Sequence, residues 1–84
     1  MKCGLYAFRD IKLGTFSAPF MQANDAVAIR TAKNVCNDPS SELSTIASDI
    51  EFWKIAQWDD KNGKIESAEP KILINTGELG NEVF

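Results

Sequence analysis

The sequence predicts an α+β fold, a small and mainly antiparallel sheet of three or four strands with one main helix packed on it. Three observations carry this. Residues 2–10 alternate in the two-residue rhythm of a strand. Residues 24–37 open with a capping residue and repeat their apolar positions with helical spacing. Asn62-Gly63 follows a run rich in strand-forming residues, which is a strong short hairpin signal. At 84 residues the chain makes one domain, expected over residues 1–76, with 77–84 as a C-terminal tail.

Taken in order, the first strand sets Tyr6 and Phe8 on one face with Lys2, Gly4 and Asp10, and Cys3, Leu5 and Ala7 on the other. Residues 11–15 read as a loop turning at Gly14. Residues 16–22 read as extended, because Pro19 holds Ala18 out of the helical region. The helix follows. Asn24 or Asp25 caps it, and Ala28, Ile29, Ala32, Val35 and Cys36 form the stripe that lies on the sheet, with Arg30, Lys33 and Asn34 toward solvent. Asp38-Pro39 can start a short second helix over residues 39–46, weakened by its serines.

Residues 48–58 carry conflicting signals. Ser48-Asp49-Ile50-Glu51 has capping-box spacing, whereas residues 52–58 favour a strand. The hairpin signal decides for a strand over 51–58, with 64–66 as its partner. Pro70 is expected to break that partner, and 71–75 to add a further extended segment.

Three local patterns occur in sequence: Pro19-Phe20 ahead of Asn24-Asp25-Ala26-Val27-Ala28-Ile29-Arg30, then Asn37-Asp38-Pro39, then Trp58-Asp59-Asp60-Lys61-Asn62-Gly63-Lys64-Ile65. Together they resemble the small nonstructural protein of gokushovirus-type microviruses, the tiny single-stranded DNA phages, over residues 4–66. The family often has His-Pro-Glu or His-Pro-Asp where this chain reads Ile46-Ala47-Ser48-Asp49. The resemblance implies a protein made during infection and absent from the virion, acting in the cytoplasm of the bacterial host. It also implies DNA binding, with a part in viral single-stranded DNA synthesis or packaging.

The residues themselves exclude several chemistries. With no histidine, a Ser-His-Asp triad, a Cys-His dyad and a His-containing zinc site are all ruled out. Two cysteines, Cys3 and Cys36, cannot make a Cys-only zinc site, and they read as small core residues. Asp59-Asp60-Lys61-Asn62-Gly63 echoes the start of a calcium loop but lacks the glutamate that closes one. The glycines are scattered and build no phosphate-cradling loop. No metal, no cofactor and no enzymatic activity are expected. No apolar run reaches the ~20 residues of a membrane span. Arg9 and Asp10 interrupt the first apolar residues too early for a signal peptide, so no membrane association is expected.

Charge is uneven along the chain. Residues 1–36 hold five cations against Asp10 and Asp25, and residues 37–84 hold four lysines against ten acids. Single-stranded DNA needs cations along its backbone and exposed aromatics for its bases. Lys2, Arg9, Lys12, Arg30 and Lys33 are the candidates for phosphates, and Tyr6 and Phe16 the candidates for stacking; Phe8 and Phe20 are assigned to the core. Trp53 and Trp58, five apart on a strand, are expected on opposite faces, so one of them is available to a partner. Two functions follow: weak, salt-sensitive binding of single-stranded DNA by a homodimer, or an adaptor that contacts viral or host replication or packaging proteins. A contiguous patch of Arg9, Lys12, Arg30 and Lys33 beside an exposed aromatic would favour the first, and an apolar patch ringed by acids the second.

Overall fold

The structure is a computed structural model and describes residues 2–74. Its elements run β1 (Lys2–Asp10), β2 (Thr15–Phe16), β3 (Phe20–Gln22), α1 (Asp25–Asn37), two short 3-10 turns (Glu42–Thr45 and Ala47–Asp49), β4 (Ile50–Asp59) and β5 (Ile65–Ile74). All strand pairs are antiparallel, in the order β2-β1-β4-β5, with β3 also pairing with β1. The α+β class therefore holds, but the sheet has five strands rather than three or four. β2 and β3 both come from the segment expected to be one extended piece. Ser17, Ala18 and Pro19 interrupt it, because Pro19 has no N–H for a ladder. Ser17 still ties the gap to β1: its N–H donates to the Phe8 carbonyl at 2.7 Å, and its Oγ accepts from the Phe8 N–H at 3.0 Å.

The core lies between the sheet and α1. The strands contribute aromatics, Tyr6, Phe8, Phe20 and Phe52, and the helix contributes Ala28, Ala32 and Cys36. Small against large lets the helix approach closely over the rings. Phe52 is the hub: its ring lies 5.6 Å from Tyr6, 5.1 Å from Phe8 and 6.0 Å from Phe20, centroid to centroid. Both cysteines are unpaired and buried, but only Cys36 belongs to this core cluster. Burial pushes the Cys36 thiol up to about 11, which suppresses its thiolate.

Local chemistry explains the element boundaries. Asn24 Oδ1 accepts the Val27 N–H at 2.9 Å and starts α1 where the sequence places it. Asp38 ends it and accepts from both the N–H and the hydroxyl of Ser40, which holds its carboxyl below the usual range. The short helix expected over 39–46 is only a 3-10 turn, Glu42–Thr45, capped by Ser41. Serines that bond nearby backbone compete with α-helical hydrogen bonds there.

β4 extends one residue beyond the expected strand at each end. Its partner β5 is continuous across Pro70, contrary to the expected break. Register explains why. Ala56 pairs with Ser67, yet Lys54 pairs with Lys71, so Pro70 falls in a bulge on an edge strand and needs no ladder N–H. Asn75 and the tail expected at 77–84 lie outside the described residues.

The two turn glycines behave alike. Gly14 (φ 70°) donates to the Asp10 carbonyl at 2.8 Å, and Gly63 (φ 71°) donates to the Asp59 carbonyl at 2.9 Å. Each aspartate also accepts from the N–H two residues on, that of Lys12 or Lys61. The hairpin is thus a five-residue loop in which Gly63 alone takes positive φ; Asn62 instead accepts the Lys64 N–H.

Candidate functional site: the uncovered face of the sheet

Directly paired residues on antiparallel strands project to the same side. Tyr6 and Phe8 face α1, so Cys3, Leu5, Ala7 and Arg9 face away from it. Register then assigns their partners to that second face: Phe16 beside Arg9, Met21 beside Leu5, Trp53 beside Ala7 and Trp58 beside Cys3. Ile72 and Ile65 extend it on β5, opposite Trp53 and Trp58.

This overturns the expectation that Trp53 and Trp58 point to opposite faces. Tyr6 pairs with Lys54, but Leu5 pairs with Ala56, so Ile55 is an extra residue in β4. One inserted residue reverses the alternation beyond it. The same bulge puts Lys54 and Gln57, three apart, together on the helix side. Both indoles thus join one apolar face, on which no described element packs. Phe16 is 47% exposed there, Met21 46%, Ile65 64% and Ile72 38%, and the two tryptophans are half-buried.

At the β1–β2 corner the side chains form a short chain of contacts. The Arg9 guanidinium lies 5.7 Å from the Phe16 ring centroid, and that ring meets Trp53 edge to face at 5.5 Å. Arg9 also pairs with Glu51 at 3.5 Å, and Glu51 accepts the Trp53 indole N–H at 3.1 Å. Lys12, in the adjoining loop, pairs with Asp49 at 3.5 Å and is largely exposed.

The remaining sequence candidates lie elsewhere. Tyr6 is fully buried and cannot stack a base. Its ring lies over Gly4, and its hydroxyl donates to Asp25 Oδ1 at 2.6 Å. Lys54 donates to the same oxygen at 2.9 Å. Burial and the Asp25 carboxylate raise the Tyr6 phenol well above its ordinary value. The Tyr6 and Lys54 hydrogen bonds hold the Asp25 carboxyl below the usual range. These groups floor an open basin of about 500 Å³ at the start of α1, rimmed by Lys2, which pairs with Glu66 at 3.1 Å. Arg30 and Lys33 sit on α1, on the other side of the sheet from Arg9. The five candidate cations therefore form no single patch.

Sequence reasoning missed Met21, Ile65 and Ile72, whose place on the open face depends on register. It also missed the acids beside the cations, Glu51 and Asp49. Spacing could have revealed only the i, i+2 relation of Glu51 and Trp53. Among the described residues no cluster of His, Cys, Asp or Glu is arranged to hold a metal ion, and no helix is long and apolar enough to cross a membrane.

No curated protein and no solved structure matches the chain. The family model described as "Phage ORF5 protein" matches residues 3–79, nearly the whole sequence, and the chain belongs to that phage protein family.

Proposed function

We propose that this phage protein acts by binding rather than by catalysis, and that its ligand is single-stranded DNA, held weakly at the β1–β2 corner. The reading extends to a nonstructural protein of the gokushovirus type, working in the host cytoplasm during viral DNA synthesis or packaging. The observation that carries it is the Arg9–Phe16–Trp53 arrangement: a cation over an exposed ring that abuts an indole, beside Lys12 in the next loop. A base can stack on Phe16 while Arg9 and Lys12 meet phosphates, and stacking contributes ~1–3 kcal/mol per base. Both cations already face acids, Glu51 and Asp49, so phosphate must compete with carboxylate. Weak, strongly salt-dependent binding follows.

The test is fluorescence anisotropy of a labelled single strand of ~30 nucleotides, titrated at several salt concentrations. Binding that falls steeply with salt, and is lost in both Arg9→Glu and Phe16→Ala, supports the site. A flat trace at low salt ends the DNA reading. A second reading, an adaptor for phage or host replication or packaging proteins, is favoured by the breadth of the apolar sheet face. Affinity for such a protein that survives Arg9→Glu would select it.

A further inference from the structure

We infer that the uncovered face of the sheet docks against the same face of a second copy of this chain, making a two-sheet sandwich with the helices outside. The inference goes beyond the DNA reading and does not rest on it.

The edges of the sheet are poor places to associate. One edge is β5, interrupted by the bulge that contains Pro70 and bearing the exposed Glu66, Glu69 and Lys71. The other is built from β2 and β3, two and three residues long, with Pro19 between them. Bulges, prolines, charges and short strands are the features that discourage edge-to-edge pairing. The face has the opposite character, since half-buried indoles and exposed Met21, Ile65 and Ile72 leave apolar area in water.

Charge favours a second copy as the occupant. Among the residues that register assigns to this face, the charged ones are Arg9 and Glu51, which pair with each other. The part of the face that register assigns is therefore neutral. It neither repels its own copy across a two-fold axis nor selects a strongly charged partner.

Size agrees. Strands of nine and ten residues at ~3.3 Å per residue, four abreast at ~4.8 Å, give a flat area of about 600 Å², before side-chain relief is added. A standard interface buries about 800 Å² per partner, so nearly the whole face would be used. Trp53 would sit near its centre, Trp58 toward the hairpin end of β4, and Phe16, on the outermost strand, at its rim beside Arg9 and Lys12.

The experiment is sedimentation of the full chain over the micromolar to submillimolar range, with tryptophan emission recorded on the same samples. The expected result is twice the chain mass, with emission moving to the blue as concentration rises. Trp58→Arg and Ile65→Glu should each return the chain to a monomer. Ile65 is the most exposed of these residues, so Ile65→Glu keeps the test sound if Trp58→Arg fails to fold. A monomer at every concentration overturns the inference, as does a dimer that survives both substitutions. DNA binding is read separately by anisotropy: a dimer without DNA binding sinks only the DNA reading, and a DNA-binding monomer sinks only the dimer.

Discussion

The Tyr6 hydroxyl donates a 2.6 Å hydrogen bond to the carboxylate of Asp25, joining the middle of β1 to the first turn of α1. Lys54 of β4 donates to the same oxygen, so one carboxylate holds two strands and the helix together. Asp25 also lies at the positive end of the helix dipole. Tyr6→Phe removes the donor without changing the packing of the ring. The expected loss is about 1.5–2 kcal/mol, the lower part of the range for a bond to a charged group, because Asp25 remains partly solvated and keeps Lys54. Urea unfolding measures it, and a loss near zero would show that the bond does not persist in solution.

The same pair contributes to the pH dependence of stability at both ends. The Asp25 pKa is lowered in the folded state from an ordinary value of 3.8, so its contribution is present above that value and is lost as pH falls through the folded one. The Tyr6 pKa is raised from 10.0, so its contribution is present below pH 10 and is lost as pH rises beyond it. Cys36, raised from 9.0 to about 11, adds to the alkaline loss. Asp25→Asn should flatten the acid limb of a stability profile and Tyr6→Phe the alkaline limb. Unchanged limbs in both variants would count against the assignment.

Gly4 is held small by its neighbour two residues on. A Cβ at Gly4 would fall within the Tyr6 ring, whose position the Asp25 bond maintains. Gly4→Ala should cost about 1–3 kcal/mol, the usual range for overpacking. A ring pushed aside has already lost Asp25, so Gly4→Ala with Tyr6→Phe should cost less than the sum of the two. Strict additivity in the double-mutant cycle would separate the two effects.

Gly14 and Gly63 are constrained by backbone alone, since a Cβ at either meets nothing within 4 Å while φ is near +70°. Each Gly→Ala should therefore cost a similar ~1–2 kcal/mol, and Gly→Asn clearly less, because Asn visits this region more easily. Thermal melts of the four variants check this. A markedly larger loss at Gly63 than at Gly14 would point to a contact beyond the turn.

Much was determined by the sequence itself, wherever the cause is local. Asn24 caps the helix through a bond three residues away, the alanine stripe follows from the helical period, and Gly14 and Gly63 turn because no other residue takes positive φ as cheaply. What only the tertiary structure decided depends on which strand pairs with which and in what register. Ile55 looks like any strand residue, yet as the inserted residue of a bulge it moves Trp58 onto the face of Trp53. Pro70 reads as a strand breaker until the pairing puts it in an edge bulge. Tyr6 could serve a core or a surface until α1 brings Asp25 to its hydroxyl, and the five cations form one group along the sequence until the sheet separates Arg9 and Lys12 from Arg30 and Lys33. Side-chain direction in a strand has a period of two, so one inserted residue reverses it, and that insertion is chosen by long-range pairing rather than by neighbouring residues.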